Sequence, residues 1–214
     1  MKSVNNISKS VIGRLPRYYR FLGILLNEGI DKISSKALSE RMGLTASQIR
    51  QDLNQFGGFG QQGYGYNVKT LRSKIGNIIG VNGGYNAILV GAGNLGRAIA
   101  QHINFNKLGF NLTAIFDSDE KLTGADINNL KIRHFSEIDE FCKENTPTTA
   151  IICIPTSAVK DVACKLVDCG INSFWNFSHY NINDDYPDAL VENVHLNDSL
   201  LTLCYNITNS EDSE

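Results

Sequence analysis

Residues 86–90 (NAILV) run straight into Gly91-Ala92-Gly93-Asn94-Leu95-Gly96, and no other feature limits the fold of this chain so tightly. GxGxxG alone is a weak signal. Here a strand precedes it, helical sequence follows over 97–102, and a second strand, LTAIFD, ends in Asp117, 21 residues beyond Gly96. That is the layout of a βαβ unit that holds a dinucleotide. In such a unit Gly91 permits the tight turn, Gly93 lets backbone approach a pyrophosphate, and Gly96 lets helix lie on strand. Ala92, Asn94 and Leu95 complete a loop at a helix N-terminus suited to an anion. Asp117 would bind the adenine-ribose hydroxyls and repel a 2′-phosphate, which favours NAD+ and NADH over their phosphorylated counterparts.

The alternation continues toward the C-terminus. Ser136 is expected to cap a helix reaching Asn145, and residues 149–155 (TAIICIP) read as an apolar strand whose end, Pro155, faces the cofactor. Val159, Val162, Ala163, Leu166 and Val167 are the buried stripe of a helix ending before Gly170, and NSFWNF is a further strand ending at Phe177. The expected fold is therefore α/β, with a parallel, doubly wound sheet and the ligand at the carboxyl ends of its strands, near Pro155 and Phe177. Leu196, Leu200, Leu201, Leu203 and Cys204 make an apolar C-terminal helix, which suggests an oligomer contact.

The N-terminal third has a different pattern. Leu15, Leu22, Leu25 and Leu26 fall at helical spacing between Ser10 and Glu28; Pro16 either opens or kinks that helix, and Gly29 stops it. Ser34 or Ser35 caps a second helix with Ala37, Leu38 and Met42 on one face, and Gly43 makes the turn. Thr45 with Gln48 forms a capping box for a third helix carrying Ile49, Leu53 and Phe56 inward. This is a helix-turn-helix. Ser47, Gln48, Gln51 and Asn54 then project outward with Arg50 at their edge, placed to read base edges in a major groove, while Arg14, Arg17 and Arg20 would hold phosphates. The glycine-dense stretch FGGFGQQGYGYNV reads as a wing, with Gln62 and Tyr64 as its candidate DNA contacts.

Charge separates the two regions. Residues 1–80 carry 12 Lys and Arg against 4 Asp and Glu, a balance of +8, whereas 81–214 carry 8 against 18, or −10. A basic segment suits a polyanion, and an acidic remainder stays off it. Neither a secretory leader nor a run of 18 apolar residues is present in the sequence, so a cytoplasmic location without a membrane partner is expected. The five cysteines lack metal-ligand spacing and read as reduced, mostly buried thiols, with no metal site. His102, His134, His179 and His195 fit no catalytic arrangement, and the nucleotide-binding region leaves no room for a substrate domain, which weighs toward a sensor rather than an enzyme. Two alternatives remain: an NAD-dependent oxidoreductase with an accessory helix-turn-helix, and a repressor answering to another nucleotide-like ligand.

Taken together, LPRYYRFL, ISSKAL, TASQIRQDL, FGGFGQQGYGYNV, LVGAGNLGRAIA and VENV closely resemble segments of the Rex family of redox-sensing repressors, over nearly the whole chain. The resemblance implies a homodimer whose C-terminal helix is swapped into the partner between its two domains. By it, residues 1–80 form a winged-helix DNA-binding domain, 81–194 a Rossmann NAD(H)-binding domain, and 195–214 the swapped helix and tail. It also implies that NADH closes the dimer and releases a pseudo-palindromic operator, double-stranded DNA that the apo or NAD+ form grips. The chain departs from the family pattern at the wing tip, Gln61 and Gln62 in place of Lys-Arg, and at His195 and His102, where the family has an aspartate and a tyrosine that act in switching. These two histidines are the switch candidates here, and they predict an NADH response that changes with pH near neutrality.

Overall fold

The computed structural model describes residues 7–57, 60, 61 and 65–210. The chain forms two compact units, Met1–Asn82 and Gly83–Glu214.

In the first unit, α1 (Lys9–Asn27) carries Pro16 inside a continuous helix; Ser8 is its N-cap, and the proline neither starts nor breaks it. Val11, Leu15, Tyr18, Leu22 and Leu25 form its buried face, at the i, i+4, i+7 spacing that turns one stripe to a core. After β1 (Lys32–Ile33), Ser34 caps α2 (Ser35–Met42) by accepting from the Ala37 amide, and Gly43, at φ +62°, ends it in the left-handed conformation that a Cβ disfavours. Thr45 caps α3 (Ala46–Asn54), accepting from the Gln48 amide at 3.1 Å. Only half of the anticipated capping box forms, because the Gln48 side chain turns to Asp52 instead of back to the cap. β2 (Gly60–Gln61) and β3 (Gly65–Asn67) pair antiparallel, and β3 also pairs with β1, giving a three-stranded sheet in the order β1-β3-β2 beside the helices. This is a winged helix. Asn67 then caps α4 (Val68–Ile79), whose Val68, Leu71 and Ile75 close the core against α1.

The second unit is built on a seven-stranded sheet. Its strands are β4 (Tyr85–Val90), β5 (Phe110–Asp117), β6 (Asp126–Ile127), β7 (Leu130–His134), β8 (Thr149–Ile152), β9 (Ser173–Asn176) and β10 (Leu190–Asn193), in the order β10-β9-β8-β4-β5-β7-β6. All neighbours are parallel except the β6/β7 hairpin. Leaving out β6, the strands taken in chain order read 3-2-1-4-5-6, the Rossmann arrangement, with its reversal between β4 and β8. The alternation of strand side chains explains the two layers. Ile88 and Val90 of β4 pack with α6 (Ile138–Asn145) and α7 (Thr156–Asp168), while Ala87 and Leu89 pack on the other face with α5 (Asn94–His102).

Several local boundaries differ from the sequence reading. α5 starts at Asn94 rather than Arg97, because Gly93 is its N-cap. β8 stops at Ile152, and Pro155 opens α7. Ser136 does not cap the helix reaching Asn145: Glu137 stands at its N-cap without a side-chain cap bond, and the capping box lies one turn earlier, where His134 accepts from the Ser136 amide and Glu137 accepts from the His134 backbone N–H around the short 3-10 turn over 135–137. The short α8 (Ile182–Asp185), the β6/β7 hairpin and β10 had no signal strong enough to read. At the C-terminal end, α9 (Leu196–Ser210) has no buried residue. No helix among the described residues is long and apolar enough to cross a membrane.

Candidate functional site

The glycine loop sits where the sheet reverses direction. The Gly91 amide donates to Phe116 O at 2.8 Å, and at φ +102° a Cβ there would lie 2.5 Å from Cys153 O. At Gly96 a Cβ would come within 1.8 Å of Gly91 O, so both glycines are required by the fold of the loop itself. Gly93 is different. A Cβ on it would meet nothing within 4 Å, so the space beside it, at the start of α5, is open. Gly93 is the N-cap of α5, whose first amides lack intrahelical acceptors as at the start of any helix, and Asn94 and Leu95 are exposed there. Ala92 is buried, and Arg97 braces the loop by donating from Nε to Ala92 O at 2.8 Å.

Asp117 closes the other side of this cleft. One carboxylate oxygen accepts from the Ala92 amide at 2.5 Å and the other from the Asp119 amide at 2.9 Å, which fixes both oxygens at the end of β5 while leaving lone pairs for sugar hydroxyls. The cleft, about 220 Å³, is lined by Gly91, Gly93, Asp117 and Pro155, all expected from the sequence, and by Ser118 and Phe135, which were not. Cys153 is also in its wall, where burial pushes the thiol up to about 12 and keeps it neutral. Ser118 and Cys153 directly follow strand ends, and the rule that ligands lie beyond the carboxyl ends of parallel strands would have found them. Ala158 and Val162 follow Pro155 on α7, whereas Phe135 comes from the segment between β7 and α6 and carries no local signal. Phe177 is not among the lining residues and packs edge-on against Trp175, ring centroids 4.7 Å apart. A glycine loop, a helix N-terminus and a fixed carboxylate at the end of the second strand together fit an adenine dinucleotide.

In the N-terminal unit, the helix that would read bases is anchored by a buried carboxylate. Asp52, wholly inaccessible to solvent, accepts from Arg14 Nε and Nη2 at 2.7 and 2.8 Å, from Tyr18 Oη at 2.8 Å and from Gln48 Nε2 at 2.8 Å. Burial by itself would raise the Asp52 carboxyl, but the bonds from Arg14, Tyr18 and Gln48 outweigh it and hold the carboxyl below its ordinary value. This network engages two of the expected DNA contacts: Arg14 ties α1 to α3 through Asp52, and the Gln48 amide donates to the same carboxylate. A sequence cannot show that an aspartate in the middle of a polar helix face is buried. Ser47, Arg50, Gln51 and Asn54 do lie exposed on α3, with Arg50 donating to Ser35 Oγ at 3.1 Å. Arg17 and Arg20 are exposed on α1; Arg17 donates to Met42 O, and Arg20 lies 5.7 Å from the Phe21 ring centroid. Gln62 and Tyr64 fall outside the described residues.

His195, directly before α9, stacks on His179 with centroids 5.5 Å apart and ring planes 5° from parallel. Within one chain, its ring neighbour is thus His179 rather than His102, which ends α5. The helix that follows displays Leu196, Leu200, Leu201, Leu203, Tyr205 and Ile207, each more than half exposed. The cysteines are less sheltered than expected: only Cys142 is buried, and Cys164 and Cys204 are exposed.

A winged helix joined to a dinucleotide-binding sheet defines a class of protein, a transcription regulator that answers to a nucleotide. Residues 6–54 match a family model described as putative DNA-binding protein N-terminus, and residues 82–180 match one described as CoA binding domain. The redox-sensing transcriptional repressor Rex of Clostridium novyi (strain NT) is 49% identical over 205 residues, 96% of this chain and 97% of that protein. Its namesake from Clostridium acetobutylicum is 50% identical over 95% of this chain and 94% of that one. Among solved structures, RSP in complex with β-NAD+ and operator DNA superposes with a TM-score of 0.86 at 46% identity, covering 97% of this chain and 95% of that one. RSP in complex with β-NADH gives 0.87 at 43% identity, covering 98% and 97%. The chain belongs to the Rex family of redox-sensing transcriptional repressors, and it is a regulator rather than a dehydrogenase.

Proposed function

We propose that this protein represses transcription by gripping a pseudo-palindromic operator as a cytoplasmic homodimer and releases it when NADH fills the cleft at Gly93 and Asp117. The observation that carries this reading is that one chain holds both parts. α3 presents Ser47, Arg50 and Gln51 outward from a rigid anchor, and the glycine loop leaves open the one position that its own packing does not need. Arg17 and Arg20, with the wing residues Gln62 and Tyr64, supply phosphate and groove contacts around α3. α9 serves as the dimer contact, since its leucines find no cover within their own chain. RSP, a relative, has been captured with NAD+ and operator DNA and separately with NADH, which supports the same pair of states here.

Linkage makes the coupling quantitative: NADH lowers operator affinity by the factor by which the operator lowers NADH affinity. NAD+ and NADH share the diphosphate and differ at the nicotinamide in charge and planarity, so discrimination belongs to the part of the cleft near Pro155, with His102 and His195 as the candidate switch residues. The test is a titration of a palindromic operator duplex on the protein at fixed salt, with NADH and with NAD+ added separately. Release by NADH at concentrations where NAD+ leaves the complex intact is the expected result. Binding indifferent to both cofactors would overturn the NADH reading, and a midpoint unchanged from pH 6 to pH 8 would remove the histidines from the switch.

Asp117 gives a sharper check on the cleft. Asp117→Asn retains the shape but loses the charge that accepts ribose hydroxyls, so NADH affinity is expected to fall by about tenfold while its preference over NADPH shrinks. Fluorescence titration with both reduced cofactors reads each change. An unaltered preference would mean that another residue faces the ribose.

A further inference from the structure

A cavity of about 460 Å³ lies in the groove between α1 and α4, and nothing in the proposed function uses it. Its wall combines two chemistries. Tyr19, Leu26 and Val81 are aromatic or apolar, while Lys69, Arg72 and Ser73 follow one another at positions i, i+3 and i+4 of α4 and so share one face. No carboxylate lines it.

Arg72 is held in an unusual way. Its guanidinium carbon lies 4.1 Å from the Tyr19 ring centroid, and it also lies close to Gly23, where a Cβ would stand only 3.3 Å from Nε. Gly76 also leaves room: a Cβ there would lie 3.0 Å from Tyr19 Cε2 and 3.1 Å from Val81 Cγ2. Two glycines thus keep both the stack and the space beside it. The buried Arg72 Nε has no acceptor. Four other guanidiniums have an acceptor: Arg14 at Asp52, Arg41 at Glu28, Arg133 at Glu137 and Arg97 at Ala92 O. A buried N–H without an acceptor is costly and rare, and beside a cavity it points to an acceptor that arrives from outside.

We infer that this groove is a second ligand site, for the phosphoryl group of a small organic phosphate. Arg72 and Lys69 neutralise the oxyanion, Ser73 donates to it, and the surface of Leu26, Val81 and Tyr19 receives the organic remainder. A guanidinium already pinned on a ring loses little further freedom on binding, which favours affinity at a small site. Because α1 is tied to α3 through Arg14 and Asp52, a ligand here acts on the DNA-reading unit without entering the cofactor cleft.

The probe is inorganic pyrophosphate, titrated calorimetrically into the full-length protein in saturating NADH, so that the glycine loop is already filled. NADH fluorescence in the same sample separates a failure of the cofactor cleft from a failure of the groove. Binding of one pyrophosphate per chain that saturates below ~1 mM is expected, weakened about tenfold or more by Arg72→Met and by Lys69→Met and unchanged by Lys131→Met. Lys69 is exposed, so its variant carries the test if Arg72→Met does not fold. No saturable binding, or binding that survives Lys69→Met, overturns the proposal. Displacement of pyrophosphate by an operator duplex also overturns it, by assigning the groove to the DNA backbone.

Discussion

Asp52→Ala is expected to cost the N-terminal unit about 3–5 kcal/mol, the largest effect of any single side-chain truncation in it. The carboxylate is fully buried and serves four donor atoms: Arg14 Nε and Nη2, Tyr18 Oη and Gln48 Nε2. Removing it leaves a guanidinium and a buried phenol without acceptors, and the penalty comes from those stranded groups more than from the lost bonds. For a unit of this size the midpoint of thermal unfolding should drop by more than ~10 °C, read by calorimetry. The double replacement Arg14→Met with Asp52→Leu should recover much of the loss, since it removes both charges together. Acid should act in the same direction as the single variant. The Asp52 carboxyl is held below its ordinary value, so its contribution is fully present above the unfolded-state pKa near ~4 and disappears as pH falls through the lower, folded value. A variant melting within ~2 °C of the parent would show that the network is not the anchor of α3.

Gly96→Ala should damage the second unit in a different way. The new Cβ would stand 1.8 Å from Gly91 O and 3.1 Å from Leu89 Cδ2, and neither the loop carbonyl nor the strand beneath it can give way at little cost. α5 must lift from β4, at about 1–3 kcal/mol of stability, and the amides at its N-terminus move with it. A displacement on the order of 1 Å at a diphosphate cradle is expected to weaken NADH by about a hundredfold. Gly93→Ala is the informative companion. Its Cβ meets nothing in the protein, so the fold should remain intact while NADH binding weakens, because the methyl group occupies the path of the incoming diphosphate. Fluorescence titration beside a thermal melt separates the two outcomes. Native NADH affinity in Gly93→Ala would mean that the diphosphate lies elsewhere.

The two variants also show where sequence reasoning holds. Gly91, Gly93, Gly96 and Asp117 were legible because the βαβ unit is local: some thirty residues contain the strand, turn, helix and carboxylate, and each residue type is dictated by backbone geometry or by charge. The helix-turn-helix was legible for the same reason, since Ser34, Gly43 and Thr45 mark its ends within a few residues of the apolar stripes they delimit. Errors gathered where a side chain had two options of similar chemistry. Gln48 could return to its cap or reach one turn along to Asp52, and Ser136 or His134 could cap the turn before α6; such choices differ by little in the isolated segment and are settled by what lies opposite.

By itself, then, the sequence determined the two-unit plan, the Rossmann motif with an aspartate at the end of its second strand, the capped α3 and the division of charge between the halves, because each depends on periodicity, caps and composition over short distances. Only the tertiary structure decided that Asp52 is buried and takes bonds from Arg14, Tyr18 and Gln48. It also placed Phe135 and Pro155 in one cleft, left Phe177 against Trp175, and stacked His195 on His179. The physical reason is shared by all of these. Burial and contact partners are set by segments far apart in the chain, and the free energy of a polar side chain depends on which of its possible partners the fold brings within reach.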